Sequence, residues 1–167
     1  MSLQQNQPVD MGEIHVSANK MTIYTIPSLG TGVAVTLYDT INNIGGIAHV
    51  VLPESKLDND YTLELPGKYA NLAVPDLIEQ FTKLGGQKRG STVRIIGGAQ
   101  LFNFGGGGGN ILNIGARNAT AIRAAMSKQG FVIEKADTGG NKGKSIRFIL
   151  ATGQIHVCPI GGNEYPL

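Results

Sequence analysis

Only one cysteine, Cys158, occurs in the 167 residues, and tryptophan is absent. A single thiol excludes an internal disulfide and any cysteine-rich zinc centre. Charge is scarce too: Asp, Glu, Lys and Arg make up 16% of the chain and leave a net +2. That balance gives no argument for a nucleic-acid partner, and no run of Lys or Arg exceeds two residues. No apolar run approaches the roughly 20 residues that cross a bilayer, so no membrane insertion is expected. The polar N-terminal stretch MSLQQNQPVDMGEI has no apolar segment of the kind a signal peptide needs. A soluble cytoplasmic protein, with no metal and no cofactor, is the expectation.

Glycine is what the chain has in excess: 24 residues, about twice the usual share. Short strands joined by tight turns fit that composition. The length suits one domain, placed at residues 12–167 behind a loosely held segment over 1–11. Strands are predicted over 13–19, 21–26, 33–38 and 44–52, and again at STVRIIGG, FVIEKAD, KSIRFILAT and QIHVCPI. Two helices are predicted. GKYANLAVPDLIEQFTKLGG carries Ala70, Ala73, Leu77, Ile78, Phe81 and Leu84 at helical spacing, with Pro75 awkward inside it. ARNATAIRAAMSKQG carries Ala119, Ile122, Ala125 and Met126. Between them, the five glycines from Gly105 to Gly109 predict a loop, because they offer nothing to pack and are costly to order. Seven or eight strands with two helices, not strictly alternating, argue for an α+β fold of antiparallel or mixed sheets.

Two glycine motifs point to nucleotides at first sight. TGGNKGKS, from Thr138 to Ser145, has Thr138 where a phosphate loop needs glycine, and a strand is predicted after it where that loop needs a helix. LGTG lacks the third glycine of a dinucleotide fingerprint and also leads into a strand. Both read as turns. His15 and His156 sit in predicted strands without an acidic partner close in sequence and read as structural. Cys158 reads as a small buried residue. His49, in GGIAHVVLP, has small apolar neighbours that would desolvate the imidazole and favour its neutral form. Spacing alone leaves it either a catalytic base or a satisfied core histidine.

The stretch PSLGTGVAVTLYD, from Pro27 to Asp39, feeds a buried strand from the turn Gly30-Thr31-Gly32. Such a turn often presents a reactive group, yet this one offers a single hydroxyl.

Six segments in order, SLGTGVAVTLYD, GGIAHVVLPES, KYANLAVPDLIEQFTKLGG, IIGGAQLFNF, NIGARNATAIRAAM and ADTGGNKGKSIRFILATGQIHV, resemble the CheD family of chemoreceptor glutamine deamidases. The resemblance spans roughly Gly12 to Val157. It implies a layered α/β/β sandwich and a cytoplasmic chemotaxis protein that acts on glutamines of chemoreceptor helices. Some members also bind the phosphatase CheC. The family's chemistry implies a cysteine nucleophile, a histidine base and an orienting threonine. Its histidine falls on His49.

The other two positions depart from the family's pattern. The nucleophile position holds Gly32, preceded by Thr31. The register of the orienting threonine holds Ile26, with Thr25 one residue away and usable only if the turn carries a one-residue shift. The resemblance therefore implies a protein impaired as an enzyme that acts by binding receptors or a CheC-like partner. The alternative is an active deamidase, with a substitute nucleophile or with glycine introduced at position 32 in place of a native cysteine. The Gly30–Gly32 turn and His49 are expected to face each other, with His49 partly exposed in a cleft. Phe102 and Phe104, beside the glycine run, read either as anchors for a helical partner or as core.

Overall fold

The computed structural model describes residues 3–55, 65–101 and 113–167. Phe102, Phe104 and the glycine run lie outside the described residues. Two helices and two five-stranded mixed sheets form three layers. The first sheet has the order β1-β3-β8-β9-β10, from Gln5–Pro8, Thr22–Leu29, Lys144–Ile149, Gln154–Pro159 and Tyr165–Pro166. The second has the order β2-β5-β4-β6-β7, from Ile14–Ser17, Ile44–Val50, Val33–Asp39, Ser91–Gly97 and Ile133–Thr138. Among the described strands, β1–β3 and β6–β7 pair in parallel and the other neighbours are antiparallel. The helices α1 (Ala70–Lys83) and α2 (Ile114–Lys128) cover the second sheet.

The strands β4 and β5 are buried at every residue, because both faces of the second sheet are covered. Their alternation sorts side chains between two cores. Val33, Val35, Leu37, Ala48 and Val50 meet Leu77, Phe81, Ile122 and Met126 of the helices. Ala34, Tyr38 and Ile47 meet Tyr24, Ile26, Phe148 and Val157 of the first sheet. Asp39 closes the β4–β5 turn: its buried carboxylate accepts from the backbone N–H groups of Ile41, Asn42 and Gln87. Burial alone would raise its pKa, but those bonds and one from the Asn42 side chain hold it below the ordinary range.

Several expectations are corrected here. Residues 5–8, in a segment expected to be loose, pair with β3, and Val9 is buried in the inter-sheet core. The edge strands β1 and β10 escape sequence reading because they are two to four residues long and lack apolar alternation. α1 runs through Pro75, and α2 starts at Ile114 with Asn113 as its cap, accepting from the N–H of Ala116. His15 and His156 each do have an acidic partner, Glu13 at 3.0 Å and Glu164 at 3.4 Å. Cys158 is half-buried rather than buried. The TGGNKGKS turn leads into a strand, and Lys144, the lysine of its Gly-Lys-Ser, pairs with Asp137 at 2.6 Å.

Candidate functional site

The turn Gly30-Thr31-Gly32 sits at the mouth of β4, against the end of β5. All three of its carbonyls are fixed. Gly30 O accepts from the N–H of Ala99 at 3.0 Å and Gly32 O from the N–H of Gly98 at 2.8 Å. Thr31 O accepts from Asn118 Nδ2 at 3.0 Å. Close approach of the β6 exit demands glycine at position 98, where φ is +67° and a Cβ would sit 2.7 Å from the Gly115 carbonyl oxygen.

His49 stands opposite. A Cβ built on Gly32 would lie 3.0 Å from His49 Nε2 and 3.1 Å from the carbonyl oxygen of Val50. The expected pairing of turn and imidazole is therefore present. The expected cleft exposure is not: His49 is only 4% accessible, because β5 lies in the covered middle of the second sheet and its ring faces the inter-sheet core. Backbone strain does not account for glycine at position 32, since its φ lies outside the left-handed region. A side chain there requires both the His49 ring and the backbone carbonyl of Val50 to give by a few tenths of an ångström.

The imidazole's tautomer follows from its other nitrogen. Nδ1 lies 3.3 Å from the carbonyl oxygen of Val9, which can only accept, so Nδ1 carries the proton. Nε2 is left unprotonated, beside position 32. Burial lowers the His49 pKa, while the Val9 carbonyl and the charges of Asp10 and Glu13 resist that shift. A neutral imidazole with a free lone pair is a base competent to take a proton from a thiol or a water at position 32.

Thr25 is placed differently. β3 carries a one-residue irregularity in its pairing with β8, between Ile26 and Leu29. The Thr25 side chain belongs to the outer face of the first sheet, in register with Pro8 and Arg147, while Ile26 points into the core. The Thr25 backbone is connected to the site instead: its carbonyl accepts from the N–H of Val9, the residue whose own carbonyl holds His49. Cys158 lies on that same outer face, opposite Ser145, and is not presented to His49. Thr31 flanks the site through its backbone.

Val9 and Asn118 are the contributors that sequence reasoning missed. Val9 acts through a main-chain carbonyl, which carries no sequence signal. Asn118 had one: it stands four residues before Ile122, on the buried stripe of α2, where an amide is out of place unless paired.

Residues 51–158 match the family model described as "CheD chemotactic sensory transduction". That match begins after His49, but two relatives extend over the site region. The "Probable chemoreceptor glutamine deamidase CheD" of Clostridium botulinum is 35% identical over 153 residues, covering 92% of each chain. The protein of that name from Methanococcus maripaludis is 39% identical over 149 residues, covering 89% of this chain and 92% of its own. With a family match over well over half its length and relatives at this identity across nearly all of it, this chain belongs to the CheD family.

Proposed function

We propose that this chain is a chemotaxis protein of the chemoreceptor glutamine deamidase family that is impaired as a cysteine deamidase and acts by binding chemoreceptor helices, a CheC-type phosphatase, or both. The observation that carries the reading is the geometry at Gly32. The position sits against a neutral imidazole in the correct tautomer, yet it bears no side chain. The frame for a covalent nucleophile is built and the nucleophile is missing. Without it no acyl intermediate forms at position 32, and His49 could at best activate a water.

A fold kept intact around an empty nucleophile position retains its surface for partners. The names of the curated relatives point to chemoreceptors as the natural partner class. Binding is tested by surface-immobilised fragments of a chemoreceptor's cytoplasmic helices and by a CheC-type phosphatase. Saturable binding of the unaltered chain to either is expected. Phe102→Glu should weaken it if the segment beside the glycine run carries the interface. Absence of binding to both partners would contradict the proposal.

The second reading, an active enzyme with another nucleophile, is disfavoured by the outer-face position of Cys158.

A further inference from the structure

Asn118 is fully buried on α2, and both protons of its amide are used. Nδ2 donates to Thr31 O at 3.0 Å and to Val51 O at 3.1 Å. Thr31 is the residue before Gly32, and Val51 lies two beyond His49. The paired register of β4 and β5 ends at Val33 opposite Val50. Beyond that point the strands part, and the Asn118 amide spans the opening. One side chain from a third element thus ties the segment carrying position 32 to the segment carrying the imidazole.

The orientation of that amide is forced. Turned over, it would set its oxygen against two carbonyl oxygens, none of which can donate. In the orientation it adopts, Oδ1 is buried without a hydrogen-bond partner among the described residues. An unpaired buried carbonyl is a cost, and the fold bears it to keep two N–H groups on those two carbonyls. An aspartate of the same shape would lose both donors and repel both acceptors.

We infer that Asn118 is the positioning residue of this site: its amide sets the separation between position 32 and His49 Nε2. The inference rests on the proposed reading of that pair as a nucleophile frame.

The test uses Gly32→Cys as parent and follows thiolate absorbance against pH, together with alkylation by iodoacetamide. In the parent, the thiol proton should pass to His49 Nε2, thiolate and imidazolium stabilising each other against burial, so thiolate absorbance should appear below the ordinary value of about 8.5. Adding Asn118→Ala or Asn118→Asp should return the titration toward that ordinary value and slow alkylation at neutral pH by about tenfold. Asn118→Ser, which keeps one donor, should retain part of the shift. A merely structural role would lower thermal stability and leave the titration in place. An unmoved titration in folded Asn118 variants overturns the inference alone, whereas an ordinary titration in the parent overturns the nucleophile frame and the inference together. Should the Asn118 variants not fold, amide exchange in the unaltered chain decides. Protection of both side-chain N–H protons is expected, and exchange at the rate of a free amide overturns the inference.

Discussion

His49 is held neutral in the folded chain by burial, and the Val9 carbonyl fixes which nitrogen keeps the proton. The direction of its shift has a consequence for stability. The folded value lies below the ordinary 6.5, so as pH falls through 6.5 the unfolded chain takes up a proton that folded His49 refuses. Stability is retained above 6.5 and drains away as pH drops toward the lowered folded value. Urea midpoints from about pH 7.5 to about pH 5 should therefore fall more steeply for the unaltered chain than for His49→Gln. The comparison isolates His49 from His15 and His156, whose glutamate partners stay in both proteins. Equal slopes in the two would show that His49 is not held neutral. At this scale the desolvation of His49 was legible in the sequence, because small neighbours and two glycines announce it, whereas its role as a base was implied only by the family resemblance. Its burial depth was not legible, since that depends on a whole second sheet closing over β5.

The elements around the site are held by contacts of backbone on backbone. The first turn of α2 reaches the exit of β6 because Gly98 and Gly115 bring no side chains, and a Cβ on Gly115 would run into the Gly98 carbonyl. Gly98 in turn donates its N–H to Gly32 O. Gly115→Ala should push the helix start away and cost about 1–3 kcal/mol, read as a lowered denaturant midpoint with an unchanged slope. An unchanged midpoint would mean that the two elements do not rely on this approach. Most elements were visible in the sequence because their patterns are strong: β-branched runs for β4 and β6, a 3.6-residue stripe for each helix. The assignment of the closing strands to sheets was not visible. β7 joins the second sheet beside β6, while β8 and β9 join the first as a hairpin, and nothing in FVIEKAD, KSIRFILAT or QIHVCPI distinguishes the two destinations. The N-terminal strand was hidden for a different reason: QNQP is exposed throughout and is held by ladder bonds to β3 rather than by burial.

At the scale of the whole molecule, two sheets and a helical layer converge on one point. The first sheet and the N-terminal segment supply the Val9 carbonyl, the second supplies Gly32 and His49, and the helices supply Asn118. Three layers thus hold an imidazole, its Nδ1 on the Val9 carbonyl, against a position with no side chain. On the proposed reading this frame lacks its nucleophile, and mass spectrometry of a chemoreceptor fragment tests that most directly by scoring the one-dalton gain of Gln→Glu. The unaltered chain should give a conversion rate several orders of magnitude below that of a cysteine deamidase, because losing a covalent nucleophile commonly costs that much. Gly32→Cys should recover much of that rate, since φ at position 32 accepts a side chain and Nε2 awaits its proton. Rapid conversion by the unaltered chain, or none by a folded Gly32→Cys, would contradict the account.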